Sequence, residues 1–253
     1  MPEGDTIHRT ANRLRPALAG QELVRLSLPR VAGDRPRLGE TIDAVRAVGK
    51  HLLIDFSGGL TLETHMLMTG AWHLYRVGER WRKAAHLARA EVEVAGWVAV
   101  CFSAPVVKLG PTASMGRQDL GPDLCTPEAD IEEAAQRFAA LGGEMEVADA
   151  LLDQRIACGV GNVYKSEVLW AERVSPFRPA AEIDEALQRR LLVRAQRLLL
   201  ANLGPGARTT VPGGLAVYDR RGRPCRACGT RIRSQKQGQH ARVTFWCPRC
   251  QAD

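Results

Sequence analysis

The 253-residue chain has no apolar run long enough to span a bilayer, which excludes a helical membrane protein. Its opening, MPEGDTIHRT, places acids near the front and no apolar stretch behind a basic one, so it reads as neither a secretory signal nor a transit peptide. The expected compartment is the cytoplasm. With 45% hydrophobic and 25% charged residues and a mean hydropathy of -0.19, the composition is that of a soluble globular protein. The length suffices for one large domain or two modest ones whose cores need no disulfide staples.

Net charge is missing from most of the sequence. Residues 217–253 hold nine bases (Arg220, Arg221, Arg223, Arg226, Arg231, Arg233, Lys236, Arg242, Arg249) and two acids (Asp219, Asp253), leaving 26 bases against 26 acids elsewhere. The whole net +7 therefore sits in the last 37 residues, as in a module that touches a polyanion, most commonly nucleic acid. A solvated, disordered basic tail would lack the four cysteines and the Phe245-Trp246 pair of this segment.

Those cysteines read Cys225-x2-Cys228-x18-Cys247-x2-Cys250, two knuckles separated by enough chain for a hairpin. Two thiolates on one tight turn can share an ion at about 2.3 Å, and a second pair closes a tetrahedron without an open position. The implied cofactor is one structural Zn2+. Two disulfides are the competing reading, and a reducing cytoplasm disfavours them. Cys101, Cys125 and Cys158 are scattered and read as core thiols.

Along the chain, Asp5 or Thr6 is placed to cap a helix with apolar Ile7, Ala11, Leu14 and Leu18 at helical spacing, closed by Gly20. From residue 22 to about 105 the period falls to two. Val24, Leu26 and Leu28 alternate with polar residues, Gly58-Gly59 joins HLLIDFS to LTLETHM, and AEVEVA meets WVAVCF at Gly96. These short strands predict a two-layered antiparallel sandwich. Residues 105–127, rich in Gly and Pro, read as a linker. Helical patterning then covers 128–140, 147–157, 163–173 and 183–203, with Gly159-Val160-Gly161-Asn162 as two sharp turns that make Asn162 an N-cap. The fold class is α+β: an N-terminal antiparallel β-sandwich with a flanking helix (1–120), a helical domain (128–215) and a C-terminal four-cysteine hairpin (216–253).

Removal of Met1 would expose Pro2 as a secondary amine. An α-amino group has a pKa of about 7.7–8, so much of it is neutral near physiological pH and nucleophilic without further help. Attack on a sugar C1′ gives an iminium that acidifies the C2′ hydrogens, and strand cleavage by elimination follows. Glu3, beside the amine, is placed to move a proton as the ring opens. Alone, Pro2-Glu3 is a weak signal.

It does not stand alone. MPEGDT, Val48-Gly49-Lys50-His51-Leu52, Gly121-Pro122-Asp123, Gly159-Val160-Gly161-Asn162-Val163-Tyr164, and Arg242 ahead of Trp246-Cys247-Pro248-Arg249-Cys250-Gln251 occur in one chain. Together they closely resemble the formamidopyrimidine-DNA glycosylase and endonuclease VIII family over essentially the whole length. The resemblance makes the helical domain a helix-two-turns-helix element and the hairpin a zinc finger. It implies Pro2 as Schiff-base nucleophile, Glu3 as general acid, Lys50 as an active-site lysine that contacts DNA phosphate, Asn162 as a phosphate-gripping asparagine, and Arg242 as the finger-tip arginine holding phosphates beside the damaged nucleotide. Leu67 and Met68 align with the wedge that fills the stack vacated by a flipped nucleotide; the end of a hairpin core is their other reading.

Three departures accompany the match. Thr6 stands where the family often has Glu, with Asp5 adjacent. Asp119 stands about where the family's arginine wedge aligns, with Arg117 two residues earlier. Residues 203–218 leave little room for the long loop that grips oxidised purines, which favours the endonuclease VIII branch and oxidised pyrimidines. The implied activity is a bifunctional glycosylase and abasic-site lyase of base-excision repair, a monomer acting on damaged DNA and no membrane. An abasic-site lyase with weak glycosylase activity and a non-catalytic zinc-dependent DNA-binding regulator are the alternatives.

Overall fold

The computed structural model describes residues 2–116, 119–239 and 241–252; Met1, Arg117, Gln118, His240 and Asp253 lie outside them. The chain divides into two compact units, Met1–Gln118 and Asp119–Asp253. Among the described residues no helix is long and apolar enough to cross a membrane.

The first unit opens with α1 (Gly4–Leu18), whose stripe of Ile7, Ala11, Leu14 and Leu18 is buried in the same core as both sheets. The N-cap is Glu3, not Asp5 or Thr6: Glu3's carbonyl already accepts from the Thr6 and Ile7 amides, which places Asp5 inside the first turn. One antiparallel sheet has the order β1 (Leu23–Ser27), β6 (Ala88–Val94), β7 (Trp97–Phe102), β5 (Ala71–Arg76). The other runs β2 (Ile42–Val48), β3 (His51–Phe56), β4 (Leu60–His65), β8 (Val106–Pro111).

Two details correct the simple alternation. The pairing of β1 slips between Leu23 and Arg25, and this bulge buries Leu23 while Val24 is left 49% exposed. The expected linker begins later, because Val106–Pro111 pairs with β4 along its whole length. Val107 and Leu109 pack on the core and Lys108 points outward, an alternation masked by flanking Pro and Gly that an edge strand tolerates.

The second unit holds α2 (Ile131–Gly142), α3 (Val147–Leu152), α4 (Asn162–Ala171) and α5 (Glu185–Ala201) around Phe138, Tyr164, Leu169, Leu191 and Leu199. Asp130 and Asp184 cap α2 and α5, accepting from the Glu133 and Leu187 amides, so both helices start later than their apolar periodicity. α3 stops at Leu152 instead of reaching Ala157. Asp153 accepts from the Arg155 amide at 2.9 Å, an Asx-type turn that ends the helix. Gln154 then braces both turns: its amide donates to the Leu152 and Val160 carbonyls and its oxygen accepts from the Gly159 amide.

The finger belongs to this unit, with β9 (Arg233–Gln237) and β10 (Arg242–Trp246) as its hairpin. The approach to it is anchored by Glu167 of α4, 1% exposed. One carboxylate oxygen accepts from the Thr210 hydroxyl and the Ala216 amide, the other from the Val217 and Tyr218 amides at 2.9 and 2.8 Å. A glutamine would set its NH2 against the Val217 and Tyr218 amides in one orientation and against the Ala216 amide in the other. Glu167→Gln is therefore expected to cost about 2–4 kcal/mol in urea unfolding; a loss under about 0.5 kcal/mol would show that the four donors do not depend on a carboxylate.

Candidate functional site

In the first unit, Pro2 is half-buried and Glu3 is 0% exposed, directly ahead of α1. The Glu3 side chain makes no capping bond to the helix. Asp5, next to Thr6, is likewise 0% exposed, and the Thr6 hydroxyl reaches its carboxylate at 3.3 Å. Lys50 is half-buried in the two-residue turn between Val48 and His51. Gly49 supplies the positive φ of 55° that the first position of such a hairpin turn requires.

Leu67 and Met68 are 42% and 64% exposed, which removes the reading of this pair as core; Met66, 2% exposed, takes that place. The loop presenting them is held on both sides. Gly70 donates to the Met66 carbonyl at 2.8 Å, and a Cβ at Gly70 would stand 2.7 Å from Met66 backbone atoms, so only glycine closes the loop. The Thr69 hydroxyl donates to the Ser103 carbonyl at 2.9 Å. Leu67 sits at φ 43°, uncommon for a residue with a side chain, and its amide donates to His65 Nδ1 at 3.2 Å.

That histidine belongs to a cluster the sequence pattern does not announce. His65 faces His51 across β3 and β4, their rings edge-on at 4.8 Å, and His51 Nδ1 donates to Glu63 at 2.8 Å. The second Glu63 oxygen accepts from the Gly116 amide. Burial, then the nearby His51 and Lys50, hold the His65 pKa down at about 4. Its ring is neutral, and because Nδ1 accepts, Nε2 carries the proton. A histidine depressed from 6.5 contributes stability that is present above about pH 6.5 and lost as pH falls towards 4, since the unfolded chain takes up the proton first. Between pH 7 and 4.5, urea unfolding of His65→Gln is expected to lose stability less steeply than the parent; equal slopes would remove His65 from the acid response.

In the second unit, Gly161 is the N-cap of α4 and Asn162 its first helical residue, a correction to the expected capping role. Gly161 adopts the extended backbone of a cap, which frees the Asn162 side chain from the helix end. Asn162 is 6% exposed, and its Nδ2 donates to the Val243 carbonyl at 2.7 Å. Arg242 is exposed at the start of β10, opposite Gln237. Asn162 and the strand bearing Arg242 are thus brought together.

The four finger thiols all lie within 4.8 Å of one another. Cys225 and Cys250 sulfurs are 3.9 Å apart and those of Cys228 and Cys247 3.4 Å, near the edge of about 3.8 Å of a tetrahedron with 2.3 Å bonds. None is in a disulfide. The Ala227 amide and the Trp170 indole donate to Cys225 Sγ, and the Cys250 amide donates to Cys247 Sγ, each at 3.4 Å. Donors aimed at sulfur suit thiolates that carry charge onto a metal. Cys101, Cys125 and Cys158 are buried and in no disulfide, and burial pushes the Cys101 thiol up to about 12.

Three family models match the chain: the formamidopyrimidine-DNA glycosylase N-terminal domain over residues 1–104, the formamidopyrimidine-DNA glycosylase H2TH domain over 120–211, and the zinc finger found in FPG and IleRS over 222–252. A curated relative, the probable endonuclease 8 2 of Streptomyces coelicolor, is 42% identical across 100% of this chain and 94% of its own. The chain belongs to the formamidopyrimidine-DNA glycosylase and endonuclease VIII family. The DNA-(apurinic or apyrimidinic site) lyase Nei2 of Mycolicibacterium smegmatis is 37% identical over 99% of both chains. Among solved structures, the MutM (Fpg) protein of Thermus thermophilus matches with a TM-score of 0.82 and 29% identity over 100% of this chain and 99% of its own. The Lactococcus lactis enzyme bound non-covalently to DNA containing an AP site shares the fold at TM-score 0.84 and 22% identity, with both chains fully covered. In this family setting the cysteine cluster is a zinc finger that holds one structural Zn2+ through Cys225, Cys228, Cys247 and Cys250.

Proposed function

We propose that the chain is a bifunctional DNA glycosylase and abasic-site lyase of base-excision repair, acting on oxidised bases, pyrimidines foremost, through a Schiff base at Pro2. The observation that carries this reading is Glu3, a carboxylate with 0% exposure beside the residue that becomes the chain end once Met1 is removed. A buried acid next to a secondary amine is the pair that the chemistry needs. The relatives named as an endonuclease 8 and as an apurinic or apyrimidinic site lyase support it.

The neutral amine attacks C1′, the damaged base departs, and Glu3 moves a proton as the sugar ring opens. The resulting iminium acidifies C2′–H, whose loss expels the 3′ phosphate; a second elimination expels the 5′ phosphate and leaves a gap. Lys50, Asn162 and Arg242 are assigned to phosphates around the lesion. Leu67 and Met68, apolar and exposed, are assigned to the vacated stack, where unstacking costs roughly a few kcal/mol. Replacing both by alanine is expected to slow excision of thymine glycol from duplex DNA about 10-fold while cleavage at a preformed abasic site changes less than about threefold. Equal losses on both substrates would remove the pair from that role.

The deciding experiment is borohydride trapping on matched thymine-glycol and abasic duplexes. Adducts with both support the bifunctional enzyme. An adduct with the abasic duplex alone supports the second reading, a lyase with weak glycosylase activity, which the name of the Mycolicibacterium smegmatis relative favours. Sequence-selective binding without any adduct makes the chain a DNA-binding regulator.

A further inference from the structure

Lys165 lies on the first turn of α4, three residues after Asn162, and is 1% exposed. Its Nζ donates to Asn162 Oδ1 and to Thr244 Oγ1, both at 2.7 Å. The Thr244 hydroxyl passes the chain on to Gln237 Oε1 at 2.5 Å. Gln237 Nε2 donates to Glu146 at 2.7 Å and to the Pro176 carbonyl at 2.8 Å. With Asn162 Nδ2 on the Val243 carbonyl, each of the four side chains in this series donates to an acceptor. The series joins α4, both strands of the finger hairpin and the residue ahead of α3.

Stability alone does not account for a lysine here. Taking an ammonium out of water costs several kcal/mol, which its bonds to Asn162 and Thr244 have to offset before they can add anything to the fold. The residue is too deeply buried to meet a phosphate itself. What a satisfied buried network supplies is a single geometry. An ammonium can only donate, so the Asn162 oxygen is held facing Lys165 and the amide facing Val243. Gln237, the far end of the same series, is the direct cross-strand partner of Arg242.

We propose that Lys165 is a positioning residue of the DNA-gripping surface: by bonding Asn162 and Thr244 together, it presents Asn162 and Arg242 to the phosphates as one preset pair. The inference rests on the DNA-processing reading above. Its role is exerted through the two gripping residues and not by contact with the substrate.

The test uses Lys165→Met in the full-length, zinc-loaded protein, with a duplex carrying a tetrahydrofuran abasic analogue. The variant is expected to keep its zinc and a cooperative fold with a lowered melting temperature, since the Asn162 oxygen loses its donor, to bind about 10-fold more weakly, and to show a salt slope of log Kd smaller by about one as the Arg242 contact is lost. In the Asn162→Ala, Arg242→Ala background the same substitution is expected to change affinity less than about twofold, because the residues it acts through are gone. A lysine that merely supports the fold would add its full effect there. Unchanged affinity in folded Lys165→Met, or full additivity, overturns the proposal. If Lys165→Met fails to fold, Thr244→Val cuts the same series from the other end and is expected to weaken binding about threefold or more; unchanged affinity then overturns it. Wild-type trapping is run alongside. Lack of an adduct sinks the enzymatic reading while the Lys165 comparison still stands on duplex affinity, and lack of any wild-type binding to duplex sinks both.

Discussion

A chain carrying uncleaved residues ahead of Pro2 is expected to yield no borohydride-trapped adduct and to nick abasic-site duplex at least ~10³-fold more slowly, the scale of losing a covalent nucleophile. Acylating the proline nitrogen converts it to an amide, with no lone pair available for C1′. Duplex affinity is expected to change little, because the bases assigned above to phosphates lie elsewhere and the whole net charge sits in residues 217–253. The measurement is single-turnover nicking beside a gel-shift titration with the same substrate. If the extended chain nicks at the parental rate, the nucleophile is a different group, and a lysine becomes the next candidate.

The second large effect is expected at the metal. Cys228→Ser should lose zinc and, with it, on the order of 100-fold in affinity for damaged duplex, because the hairpin that carries Arg242 is tied at its base by Cys247 and Cys250. Serine is nearly isosteric, so the loss reports ligation and not packing. Zinc content by elemental analysis and duplex affinity are measured on one preparation. A zinc-free variant with parental affinity would uncouple the ion from the DNA surface.

The elements that could be read directly are those whose signals are local. The stripe of α1, the hairpins at Gly58-Gly59 and Gly96, and the cysteine knuckles each depend on neighbours within a few residues. Their neighbours in sequence are their neighbours in space. A single residue is enough to shift a pattern's phase: the bulge at Val24 turns it to solvent, and Gly161 displaces Asn162 from the cap. The strand Val106–Pro111 is hidden because its turn-forming residues outweigh a short alternation. The groups hardest to foresee were His51 with Glu63 and His65, and Lys165 with Thr244 and Gln237. Asn162 and Lys165, three apart on one helix, carry a readable hint of shared orientation. Their partners on β10 and β9 do not, because cross-strand register and the docking of a hairpin on a helix are properties of the folded chain.

The anchorage of Glu167 reaches beyond its own helix. Its carboxylate holds three consecutive peptide amides, Ala216 to Tyr218, while Val217 packs with Cys225 and Cys247 in one apolar cluster. One side chain of α4 thus fastens the run of peptide units that leads into the finger, and deuterium uptake at those three amides, measured with and without zinc, is expected to rise when the metal is removed.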